Sequence, residues 1–180
     1  MTDARTLIDL LDFNRQRNNT LTYLEGEHVT KSVSFAELAQ RAGSILHELQ
    51  ERGARRGDKL ILFVASNEHF IDAFWAAALG AIIPVPVALG ISDEHRHKLL
   101  RIAHKLGTPF IYTDRKTLER VGQFAAQSQD PAGAATFAQL RPRAFLVEDL
   151  VDLGRAGTAH AARPQDTAFI QFSSGSTSDP

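Results

Sequence analysis

A chain of 180 residues is long enough to enclose one hydrophobic core, and 43% hydrophobic with 23% charged residues is the balance of a globular protein. Twenty basic against 21 acidic side chains leave a formal charge of -1, which argues against a nucleic-acid partner held by a basic field. The absence of cysteine excludes disulfides, zinc–thiolate sites and thiol nucleophiles, and it fits a cytoplasmic location.

Met1 to Asn19 is polar and charged with short apolar steps, so it is not a secretory signal. Thr6 to Phe13 carries apolar residues at helical spacing, and Thr20–Leu24 with Val29–Val33 reads as a β-hairpin turning at Gly26. Ser34 and Glu37 form a capping-box pattern before a helix whose apolar face is Phe35, Leu38, Ala42, Ile45, Leu46 and Leu49, with Gly53 ending it. Lys59–Val64 follows as a buried strand, and Asn67 is the expected N-cap of an alanine-rich helix.

Ala73 to Ile91 contains no charge, a length that invites a membrane span. Gly80, Pro84, Pro86 and Gly90 interrupt it, so it reads as a buried helix, Phe70–Leu79, and a buried strand, Ala81–Val87, with no transmembrane segment. Ser92 caps a further helix ending at Gly107, Pro109–Thr113 is a strand, and Lys116–Ala126 is a helix. Ser128–Pro142, rich in Ala, Gly, Gln and Pro, is expected as a mobile surface loop. Ala144–Val147 reads as a short strand, Gly154–Pro164 as a polar connector, and Thr167–Phe172 as a last strand. Alternating helices and strands make this an α/β domain.

Several features favour structural readings. His97 and His104 share a helix face with Arg101, which repels a cation, and His95 adds no complete ligand set. Arg52, Arg55 and Arg56 read as a charged surface turn, Phe70, Phe74 and Trp75 as core, and Asp149 and Asp152 as surface charges.

The last strand runs directly into Ser173-Ser174-Gly175-Ser176-Thr177-Ser178-Asp179-Pro180. Gly175 permits close approach of backbone amides to an anion, and the surrounding hydroxyls can donate to phosphate oxygens. This is neither a Walker A loop nor a dinucleotide glycine fingerprint, and on composition alone such a cluster also reads as a solvated turn.

Ala168 to Pro180 resembles the signature loop of the adenylate-forming (AMP-binding) superfamily, which typically reads Thr/Ser-Ser-Gly-Ser-Thr-Gly-x-Pro-Lys-Gly. Ser173, Ser174, Gly175, Ser176, Thr177 and Pro180 match, and Ser178 replaces a glycine. Upstream, Ser34-Phe-Ala-Glu-Leu, Gly57-Asp58-Lys59 and Leu79-Gly-Ala-Ile-Ile-Pro-Val-Pro are similar to the family's early helix, first core strand and following strand. Within the family, Phe172–Thr177 and Pro84–Ile91 look most like fatty-acyl-AMP ligases and acyl-activating loading domains of hybrid polyketide–nonribosomal peptide synthetases.

The resemblance implies the N-terminal portion of the family's large domain, with a largely buried mixed or parallel sheet, cut within the phosphate-binding loop at 173–180. It implies an ATP-dependent ligase that forms an acyl-adenylate from a carboxylic acid, fatty or other, and passes the acyl group to coenzyme A or a carrier-protein phosphopantetheine. Ser173, Ser174, Gly175, Ser176, Thr177 and Ser178 would bind the ATP phosphates, with Thr177 indirectly serving Mg2+. An acyl carrier protein is an implied partner. No catalytic residue falls within these 180, and the chain alone is expected to be inactive. The alternatives are an amino-acid adenylation domain of a nonribosomal peptide synthetase and a non-catalytic interaction module.

Overall fold

The computed structural model describes residues 4–90, 92–150 and 154–172. The first helix, α1 (Leu7–Gln16), is closed by a reciprocal cap that the sequence reading missed: the Asp9 N–H donates to Thr6 Oγ1 at 3.1 Å and the Thr6 N–H donates to Asp9 Oδ2 at 2.8 Å. β1 (Thr20–Glu25) and β2 (His28–Ser34) pair antiparallel around Gly26, whose φ of 61° suits glycine. The predicted Ser34–Glu37 capping box opens α2 (Phe35–Glu51), with the Glu37 N–H donating to Ser34 Oγ at 3.1 Å.

β3 (Lys59–Leu62), β4 (Ile83–Pro86), β5 (Phe110–Thr113) and β6 (Ala144–Leu146) form a parallel sheet in the order β4-β3-β5-β6. Parallel neighbours need crossovers, supplied by α3 (Asn67–Leu79), α4 (Asp93–Leu106), and α5 (Arg115–Gln127) with α6 (Pro131–Leu140). The two-residue period splits the strands between two cores. Leu60, Leu62, Phe110, Tyr112 and Phe145 face α2 and α3, whereas Ile61, Phe63, Val85, Ile111 and Leu146 face α4, α5 and α6. Covering both faces explains why the strands are runs of hydrophobic residues without alternation.

Three expectations are corrected. The cap of α3 is Ser66, whose hydroxyl accepts from the His69 N–H at 3.4 Å, so Asn67 becomes the first helical residue. The predicted loop at 128–142 is mostly helix: the Asp130 carboxylate accepts from the Ala132 N–H at 3.0 Å, Pro131 occupies the first turn, and a 3-10 turn, Arg141–Arg143, leads into β6. Residues 167–172 do not form a strand. Among the described residues, no helix is long and apolar enough to cross a membrane.

Candidate functional site

Ser173, Ser174, Gly175, Ser176, Thr177 and Ser178 all lie outside the described residues. What the structure describes is how the chain is brought to them. After the sheet is complete, residues 154–166 run back across α2 as a docked strap, although the sequence reads there as a plain polar connector. Buried Ser44 donates its hydroxyl to the Arg155 carbonyl at 2.8 Å. Gln50 clamps Thr158 from both sides, donating to its carbonyl and accepting from its N–H, each at 2.8 Å. The Gly157 N–H donates to the Gly43 carbonyl at 2.8 Å, and the His160 N–H donates to the Leu79 carbonyl at 2.7 Å. A Cβ at Gly157 would lie 2.6 Å from the His47 backbone nitrogen, so the strap's approach to α2 requires glycine.

The strap ends in a turn built on Asp166. Its carboxylate accepts from the Arg163 N–H at 2.9 Å, from Arg163 Nη2 at 3.2 Å and from Arg56 Nη2 at 3.0 Å, with His160 Nε2 3.4 Å away. The Arg163 backbone hydrogen bond is the leading cause that holds the Asp166 carboxyl down at about 2, with the Arg163 and Arg56 charges adding to it. Arg56 is therefore more than a surface charge. Arg52 is also engaged, its guanidinium 4.2 Å from the Phe145 ring centre and donating to the Ala144 carbonyl at 2.6 Å.

From Asp166 the chain runs along the free edge of β4. Thr167 and Ala168 border one hollow with Ala81 and Ile82, before β4, while Gln171 and Phe172 border another with Pro86, Val87 and Leu89, at its end. The segment therefore runs parallel to β4, and the Ile170 N–H donates to the Pro84 carbonyl at 3.0 Å between those points. It was expected as a strand, and its failure to become one has a covalent cause. The Ile83 and Val87 N–H groups point to β3, so residues 84 and 86 present the outward donors of β4, and both are proline.

Phe172, the last described residue, reaches the carboxyl edge of the parallel sheet, where open α/β folds place their ligands. A cavity of about 340 Å³ opens there, lined by Val64, Phe70, Leu89, Lys98, Ile102 and Phe172 among others. Its walls are largely apolar and Lys98 supplies a cation. Phe70, Phe74 and Trp75 pack against the core as expected, and Phe169 joins them, 6.2 Å from Phe74 between ring centres.

The other singled-out groups serve locally. His95 Nδ1 pairs with Ser92 Oγ at 2.7 Å, the His97 ring meets Phe124 edge-on at 4.6 Å, and Asp149 pairs with Arg115 at 2.9 Å. Asp152 lies outside the described residues. Sequence reading missed Gln50, Gly157 and Asp166. The Arg163-Pro-Gln-Asp166 spacing is a turn signal that could have flagged Asp166, whereas nothing local marks Gln50.

A family model described as AMP-binding enzyme matches residues 12–180. A Caulobacter vibrioides protein named as an acyl-CoA synthetase is 29% identical over 185 residues, covering 99% of this chain and 30% of the relative. A Mycobacterium leprae protein named as a fatty-acid–CoA ligase is 22% identical over 152 residues, covering 84% and 25%. The chain thus spans less than a third of the length of these curated relatives. Among solved structures, the McyG A-PCP structure complexed with phenylalanyl-adenylate superposes with a TM-score of 0.79 at 29% identity, covering all of this chain and 32% of that one. The fatty acid AMP ligase from Legionella pneumophila has a TM-score of 0.76 at 23% identity, covering 97% and 29%, a likeness of fold.

Proposed function

The chain belongs to the AMP-binding enzyme family, and from that premise we propose that it is part of an ATP-dependent ligase that activates a carboxylic acid as its acyl-adenylate. The carboxylate oxygen attacks the α-phosphorus of ATP, the bond to the β-phosphate oxygen breaks, and pyrophosphate leaves. A thiol, from coenzyme A or from the phosphopantetheine of a carrier protein, then attacks the acyl carbonyl and releases AMP.

The observation that carries this reading is the course of residues 167–172. They lie along β4 and end at the carboxyl edge of the sheet, immediately before the hydroxyl-rich residues 173–178. Ser173, Ser174, Ser176, Thr177 and Ser178, with the backbone at Gly175, would then donate to the β- and γ-phosphates. Donors fixed in advance stabilise the charge that moves onto pyrophosphate, and no protein nucleophile is needed. Magnesium suits the hard hydroxyl oxygens of this segment and would screen the phosphates, with Thr177 acting on it through the nucleotide.

The acid is assigned to the fatty class, in keeping with the motif and with the apolar walls of the cavity at the sheet edge. An amino or keto acid is the second reading, favoured by the 29% identity to the protein held with phenylalanyl-adenylate and the 28% identity to an adenylation domain bound to a keto acyl adenylate. In the complete gene product, Ser176→Ala combined with Thr177→Ala is expected to slow acid-dependent ATP–pyrophosphate exchange by about ten-fold or more, as for lost phosphate donors. Unchanged exchange would remove the loop from the mechanism. Whichever acid supports exchange in the unaltered protein decides between the two substrate classes.

A further inference from the structure

We propose that the hollow before β4, between α1 and the end of the strap, is a second small-molecule site that takes an aliphatic carboxylate. The hollow lies at the amino end of β4 and the cavity at Lys98 at its carboxyl end, about 13 Å of extended chain away. The site is therefore separate from the proposed acid activation and does not rest on that reading.

The hollow has a volume of about 330 Å³, within the range of about 300–1,000 Å³ that holds small ligands. Its apolar walls come from three segments far apart in sequence: Leu7, Ile8 and Leu10 of α1, Ala81 and Ile82 before β4, and Ala168 beyond the strap. Leu10 is 40% exposed, so a ligand seated there would remove apolar surface from water. Two cations, Arg5 and Arg163, border the same space. The one carboxylate among the lining residues, Asp166, is already engaged by Arg163 and Arg56. An apolar interior bordered by positive charge fits an apolar body with an anionic head, and a guanidinium matches a carboxylate in shape.

Hydrogen bonds hold each wall in advance of any ligand. The reciprocal Thr6–Asp9 cap closes the first turn of α1, and the Gly57 N–H donates to the Ala81 carbonyl at 2.8 Å. The His160 N–H fixes the strap on the Leu79 carbonyl at 2.7 Å. Little ordering is left to oppose binding. Ala81 gives an independent sign. Its φ of 50° is a left-handed conformation that glycine adopts without strain and alanine does not. Strain of this kind persists where the surroundings impose it, and it gathers at ligand sites. Here it places a methyl-bearing residue in the lining of the hollow.

The test is a titration of the complete gene product with decanoate, read by the methyl NMR signals of Ile8, Leu10 and Ala81. These signals report the hollow even if decanoate also enters the cavity at Lys98. Saturable shifts at all three are expected, with a Kd of about 1 mM or tighter for a ligand of this size. Decanol, with the same chain and no charge, is expected to bind about five-fold more weakly. Arg5→Gln is expected to weaken decanoate binding by about the same factor, the scale of one charged contact at a solvated border. Ala78, on α3, also lines the hollow, so Ala78→Leu is expected to fill it and abolish the shifts while the thermal midpoint holds. No saturable shift in the unaltered protein would overturn the proposal, as would shifts that survive Ala78→Leu. Decanol binding as tight as decanoate, with no effect of Arg5→Gln, would overturn it as well, and that comparison stands even if Ala78→Leu does not fold.

Discussion

Asp166 sits among donors that all favour its charged form: the Arg163 N–H first, then the guanidinium groups of Arg163 and Arg56. Its carboxyl is held at about 2, below the ordinary carboxylate value of about 3.9. A lowered folded-state value means that these contacts are fully present above the ordinary value and are lost as pH falls through about 2. Carbon-13 titration of the Asp166 carboxyl should therefore give a midpoint near 2, and a midpoint near 4 would show that the turn is not formed. Gly157 makes a second residue-scale prediction. Gly157→Ala should destabilise the protein by about 1–3 kcal/mol, the usual size of an overpacking cost, because the new methyl meets backbone rather than a movable side chain. Urea denaturation measures this, and an unchanged midpoint would contradict the docked strap. Asp166 carried a local turn signal in Arg163-Pro-Gln-Asp166, whereas Gly157 was not legible beforehand: what a Cβ at 157 meets is His47, 110 positions away. The Ser66 and Asn67 pair was ambiguous for another reason, since both are good caps and only the backbone decides between neighbours.

Among elements, those with a local cause were readable. The Ser34–Glu37 box, the hydrophobic runs of β3 and β5, and the Gly26 turn each carry their instruction within a few residues. Helix α6 was misread because Ala, Gly and Gln gave no amphipathic stripe. Its start signal was nonetheless present, since Asp130 followed by Pro131 is a cap followed by a residue suited to the first turn. Residues 167–172 failed in the opposite sense: their own pattern is strand-like, but the edge they meet withholds its donors. Pro86→Val would return an N–H to that edge, opposite the Ile170 carbonyl. Amide exchange across residues 167–172 should then slow several-fold, as a neutral hydrogen bond of about 1 kcal/mol implies. No change in protection would mean that the prolines are not what limits the pairing.

At the scale of the whole molecule, the hairpin and the two helices under the sheet are joined through charge. Arg41 on α2 donates to both oxygens of buried Asp72 on α3, at 2.8 and 2.9 Å, and Lys31 on β2 reaches Glu68 at 2.5 Å. The Asp72 hydrogen bonds raise the Arg41 pKa above its already high value. Asp72→Ala would leave the partly buried Arg41 guanidinium with only Glu68, 3.7 Å away, at a cost of about 1–3 kcal/mol in unfolding free energy. A loss under about 1 kcal/mol by urea denaturation would show that the pair is solvated and replaceable.

The sheet order, the strap and the parallel course of residues 167–172 bring the chain to the carboxyl edge where residues 173–178 begin, and the claim that these residues serve acid activation by ATP rests on that delivery. The most direct test is ATP–pyrophosphate exchange by the complete gene product, assayed with fatty, keto and amino acids in parallel. Exchange that requires one of these acids is the predicted result, and no acid-dependent exchange across all three classes would contradict it.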